Sequence, residues 1–302
     1  MTARRTKNKI VVFLAFTLAF SSIFYFLLIT AGSLQAAGGP LVSWGLMWCP
    51  GLAALLTQFI FEKNVRDFGW GWGKTRYQVW GYFIPLFYAL VAYGAVWMTG
   101  LCAVPNREFL DKVIARFGMG DSPAAAIAAY LLACATMGVG VSCLSALGEE
   151  IGWRGFLVPH LARLMSYPKV AVVSGLIWSS WHWPMIVFAE YANKGAPVWY
   201  GVVCFTAMVI GLSFGFTWLR LKSGNIWGVV LWHASHNVFV QRFFTPLTSD
   251  TPWTPYLVDE FGAALAIVVA LVALAFWSRR SEVSNRCDSS VPGSAVQPVI
   301  ET

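Results

Sequence analysis

Seven side chains stand out because their types could do chemistry and their surroundings carry almost no charge. Glu149, Glu150 and Arg154 follow residues 122–148, which hold no Asp, Glu, Lys or Arg. His182 lies inside "IWSSWHWPMIV", and His233, His236 and Asn237 lie in "LWHASHNVF". Ionisable groups at membrane depth cost about 2.5–3.5 kcal/mol each on insertion scales, so their default reading is functional. Neighbours on a helix point about 100° apart, so Glu149 and Glu150 cannot both face one cavity squarely. Arg154 is four residues after Glu150, the favourable order for an ion pair. One division of labour pairs Glu150 with Arg154 and turns Glu149 into the bundle; the reverse stays open, as does a solvated helix end. His233 and Asn237 share a helix face, whereas His236 reads as a packing residue. A histidine bridging two helices as structural glue is the alternative for His182.

Together, a carboxylate, two imidazoles and a carboxamide could activate a water and stabilise an oxyanion. Glu149, His182 and His233 are also a set that could hold zinc with one position open for water. A metal-free water is an equal alternative, so the cofactor is unassigned. Other protease chemistries lack their residues: there is no H-E-x-x-H helix, no aspartate inside an apolar run, and no G-x-S-x-G elbow beside the serines. Glu190 reads as a solvated helix end.

The elements that must position these groups are membrane helices. The 302 residues are 58% hydrophobic and 12% charged, with a mean hydropathy of +0.62, against roughly 25% charged in soluble domains. Eight apolar runs, at 10–31, 41–61, 79–102, 123–148, 170–189, 197–219, 225–241 and 261–278, predict an all-α polytopic bundle of about eight transmembrane helices. The first run is too long for a cleaved signal and is expected to stay as an anchor. Pro184 should kink the fifth helix beside His182. Basic residues fall mainly on one side: Arg4, Arg5, Lys7, Lys9, Lys63, Arg66, Lys74, Arg76, Arg154, Arg163, Lys169, Arg220, Lys222, Arg279, Arg280 and Arg286. Only Arg107, Lys112, Arg116, Lys194 and Arg242 fall on the other. That asymmetry places both termini in the cytoplasm and explains the net charge of +7 without nucleic acid. The bundle is one domain, 1–278, followed by a disordered cytoplasmic tail, 279–302. A short amphipathic helix is expected within 103–121, and aromatic belts from the 16 Trp. The six cysteines are scattered singly and suggest neither disulfides nor zinc knuckles.

The three polar segments in order resemble one family, the CPBP (type II CAAX prenyl endopeptidase and bacteriocin-processing, or Abi) intramembrane proteases. Its motifs are E-E-x-x-x-R, F-x-x-x-H and H-x-x-x-N/B. Here they read Glu149-Glu150-Ile-Gly-Trp-Arg154, Trp178-Ser-Ser-Trp-His182 and His233-Ala-Ser-His-Asn237, with Trp in place of Phe at position 178. The resemblance covers about 145–240. It implies an intramembrane endopeptidase in which Glu149 and His182 activate a water and His233 and Asn237 stabilise the oxyanion, while Glu150 assists or pairs with Arg154. The implied partners are a peptide or membrane-anchored protein substrate and the bilayer, with no nucleic acid. The implied location is the plasma membrane of a prokaryote, as a multi-pass protein. A non-catalytic scaffold or self-immunity factor on the same fold is a second reading, and a small-solute transporter a third. The sequence leaves substrate and oligomeric state open.

Overall fold

The apolar runs all become helices, separated mostly by glycines and prolines. The computed structural model describes residues 2–33, 35–119, 122–189, 191 and 195–288, and every regular element among them is helical. We number the helices α1 (Ala3–Ala31), α2 (Pro40–Glu62), α3 (Arg76–Met98), α4 (Arg107–Phe117), α5 (Pro123–Leu161), α6 (Tyr167–Phe188) and α7 (Val198–Ser223). They continue as α8 (Trp227–His236), α9 (Thr254–Leu257), α10 (Ala263–Ser278) and α11 (Ser281–Asp288). Proline occupies the first turn of α2, α5 and α6, where its missing N–H is no loss. Gly32, Gly118 and Gly224 close α1, α4 and α7 in the left-handed conformation.

Six of these helices, α1, α2, α3, α5, α6 and α7, are long and apolar enough to cross a membrane. The expected count of about eight is reached only if α8 and α10 also cross. α10 is apolar but 16 residues long. α8 spans 10 residues and runs on as a π-helix, Asn237–Phe244. Large apolar side chains such as Phe26, Leu41, Phe87 and Met137 stand exposed on the outer faces, as lipid-facing surfaces require.

Helix α6 packs along α7, α7 along α10, and α8 against both α3 and α5, while α2 packs on α1 and α5. Glycines set two of these approaches. A Cβ on Gly81 would stand 2.0 Å from the Gly228 carbonyl oxygen, and one on Gly51 2.4 Å from that of Gly148. Small residues of this kind let membrane helices meet backbone to backbone. The second contact brings α2 against the turn of α5 that carries the acid pair.

Several expectations need correction. The segment after 279 is not wholly without structure: α11 forms there, Val283 is buried, and Glu282 pairs with Lys222 at 2.9 Å. Trp153, Trp178, Trp181, Trp218 and Trp232 are buried inside the bundle and not in surface belts. The amphipathic helix within 103–121 is α4. Glu190, Lys194 and residues 289–302 lie outside the described residues.

Candidate active site

The acid pair lies at a change of winding. Helix α5 has one π-helical stretch at Cys134–Gly138, is α-helical from Val139 through Glu150, and then widens again into a π-helix, Ile151–Leu157, that carries Arg154. The third motif repeats the device, because the π-helix after α8 begins at Asn237. Such widened turns are rare and cluster at functional sites. Glu149, Glu150 and Arg154 are all buried.

The two acids take different surroundings. Glu150 Oε1 accepts from Arg154 Nη1 and from His233 Nδ1, each at 2.8 Å. The Arg154 guanidinium sits in the angle between two rings, its Cζ 4.0 Å from the centre of Trp178 and 4.3 Å from that of Phe216. The Arg154 carbonyl accepts from Arg220 Nε at 2.8 Å. Glu149 instead receives two indole N–H groups on Oε2, from Trp178 at 2.7 Å and from Trp153 at 3.2 Å.

Glu149, His182, His233 and Asn237 line one cavity of about 120 Å³, with Trp178, Trp181, His236, Gln241, Glu260 and apolar side chains around them. Glu150 and Arg154 lie behind this wall. That volume is room for a few waters. His182 Nδ1 faces the Trp178 carbonyl oxygen at 3.0 Å. A carbonyl oxygen only accepts, so Nδ1 carries the proton and Nε2 keeps its lone pair. In His233, Nδ1–H donates to the Glu150 carboxylate, so Nε2 is the nitrogen left for the cavity. His236, expected as packing, is bonded at both ring nitrogens, to the Tyr88 hydroxyl at 2.5 Å and to Glu260 Oε1 at 2.7 Å. Gln241 Nε2 donates to Glu260 Oε2 at 2.9 Å.

Residues 126–239 match the family model of Type II CAAX prenyl endopeptidase Rce1-like proteins. Over this segment the chain is similar to that family. The match contains Glu149, Glu150, Arg154, His182, His233 and Asn237, so the resemblance carried by the three motifs holds. A curated relative, CAAX prenyl protease 2 of Methanococcus maripaludis, is 27% identical over 133 residues, 43% of this chain and 46% of the relative. The chain therefore aligns with about half of that relative's length. The matched segment lies in a chain whose long apolar helices make it an integral membrane protein.

The zinc set considered from sequence, Glu149, His182 and His233, borders one cavity but is not drawn together as a metal cluster. Among the described residues no three His, Cys, Asp or Glu side chains form a group that could hold a metal. Glu149 Oε2 is engaged by indoles, and the Nδ1 atoms of His182 and His233 by a carbonyl and a carboxylate, so a metal would have to be met by Glu149 Oε1 and the two Nε2 atoms.

Sequence reasoning missed the partners. Trp153 and Trp178 read as apolar, although each carries one N–H. Glu260 lies just before the last apolar run and was not counted among groups at depth. Arg220 and Lys9 read as loop charges. Both are buried, Arg220 against Arg154 and Lys9 against Glu62 at 2.6 Å.

Proposed function

We propose that this protein is an endopeptidase that cleaves a membrane-associated peptide or protein with a water activated by Glu149 and His182. The observation that carries the reading is the meeting of Glu149, His182, His233 and Asn237, from three helices, at one small cavity in an apolar bundle. Water in that cavity gives a proton to Glu149 as its oxygen attacks the scissile carbonyl carbon, with His182 Nε2 as a second acceptor. The carbonyl oxygen becomes an oxyanion beside His233 and Asn237. An Nε2–H on His233 requires the imidazolium, and Glu150, 2.8 Å from Nδ1, is its counter-charge. Glu149 then returns the proton to the departing amide nitrogen, which leaves as an amine while the carbonyl becomes a carboxylic acid. Arg154 keeps Glu150 charged in the interior.

A prenylated C-terminus is the substrate class that the Rce1-like match and the named relative favour. Purified protein in lipid nanodiscs, given a farnesylated fluorogenic peptide ending in a Cys-aliphatic-aliphatic-X sequence, is the test. Cleavage by the wild type and its loss by at least about a thousandfold in Glu149→Gln is expected for a group essential to water activation. Undiminished cleavage by the variant contradicts the assignment.

A further inference from the structure

We propose that Trp178 is the positioning residue of the Glu149 carboxylate, and that Glu149 Oε1 is the atom that takes the proton from water. This rests on the proteolytic reading above. Both indole N–H groups converge on Oε2, at 2.7 Å from Trp178 and 3.2 Å from Trp153. Oε1 has no protein hydrogen-bond partner among the described residues, and Glu149 borders the cavity. A carboxylate pinned by two donors on one oxygen cannot rotate its second oxygen away from the cavity without losing both bonds. Trp153 is four residues from Glu149 on the same helix, so its donation follows the local winding of α5. Trp178 reaches across from α6, and its bond fixes Glu149 relative to the helix that carries His182.

The same indole does a second task with a different part. Its ring face receives the Arg154 guanidinium, 4.0 Å from the ring centre, while its edge donates to Glu149. One side chain therefore registers both acids, Glu149 directly and Glu150 through Arg154. The motif in the resembling family has Phe at this position. Phe offers a ring face to the arginine but no N–H to the carboxylate. This chain thus holds its base by a hydrogen bond that a Phe-bearing sequence cannot make.

The decisive substitution replaces Trp178 with benzothienylalanine, which keeps the shape and the ring face and exchanges the N–H for sulfur. Two readouts are needed on the full chain in nanodiscs. The first is the infrared carboxylate band of Glu149, isolated as the difference between each protein and its Glu149→Gln counterpart. The second is the kinetics of cleavage of the farnesylated peptide. The band should shift, and kcat should fall about tenfold while KM stays within about twofold, as expected when only orientation is lost. Trp178→Phe should behave the same way. An unshifted band overturns the proposal whether or not the peptide is cleaved. A shifted band with unchanged kcat overturns it as well. If the wild type leaves the peptide intact, the substrate reading above fails, and the band alone then decides whether Trp178 sets the carboxylate.

Discussion

Glu150 accepts from Arg154 and His233 on one oxygen, and the rest of its pair with Arg154 is poorly satisfied. Its Oε2 and the Nε and Nη2 of Arg154 are buried without protein partners. A buried ion pair with such gaps adds little stability, because desolvation offsets its Coulomb gain. Its use lies in supplying a fixed carboxylate to His233. Removing one partner should still be costly. Arg154→Met leaves the Glu150 charge buried beside His233 alone and should destabilise the fold by about 3–5 kcal/mol. The double variant Glu150→Gln, Arg154→Met should recover most of that loss. Thermal unfolding followed by tryptophan fluorescence checks this; a double variant as unstable as the sum of the two singles would show that the residues are not coupled.

At the scale of elements, the helices were legible because long uncharged runs leave no alternative in a membrane. The split between the acids was legible only as one option, since the four-residue spacing of Glu150 and Arg154 favours that pair and leaves the reverse open. The π-winding at Ile151–Leu157 and Asn237–Phe244 left no mark in the apolar pattern, and neither did the tryptophans that hold Glu149. Both depend on which helices meet, which spacing along one helix does not report. The junction from α9 to α10 was equally hidden. There Glu260 reaches His236 on α8, while Asp259, in the left-handed conformation with φ 70°, accepts from the Glu260 N–H at 2.8 Å. Burial and the adjacent Glu260 push the Asp259 carboxyl up to about 7. The folded chain therefore holds this proton more tightly than the unfolded chain does, and the Asp259 contribution to stability declines as pH rises from about 4 to about 7. Asp259→Asn keeps the acceptor and tolerates the backbone conformation. It should flatten that decline and raise stability at pH 8 on the order of 1–2 kcal/mol. Melting curves at pH 5 and pH 8 test it, and an unchanged pH dependence would contradict the account.

For the whole molecule, six helices qualify as spans by length and composition. We propose that α8 with its π-helical continuation and α10 are the seventh and eighth, which returns both ends of the bundle to one face, the cytoplasmic one by the distribution of basic residues. Single cysteines placed at Thr2 and Ser281 in a cysteine-free background should then label from the same side, and labelling from opposite sides would require an odd number of crossings. The central claim concerns catalysis inside this bundle, and cells expressing the wild-type protein or Glu149→Gln test it most directly. The termini of all membrane-associated proteins and peptides are compared between the two by mass spectrometry. The account predicts at least one new terminus present only with the wild type, generated from a membrane-bound substrate. The same set of termini in both cells, with both proteins equally abundant and folded, would contradict it.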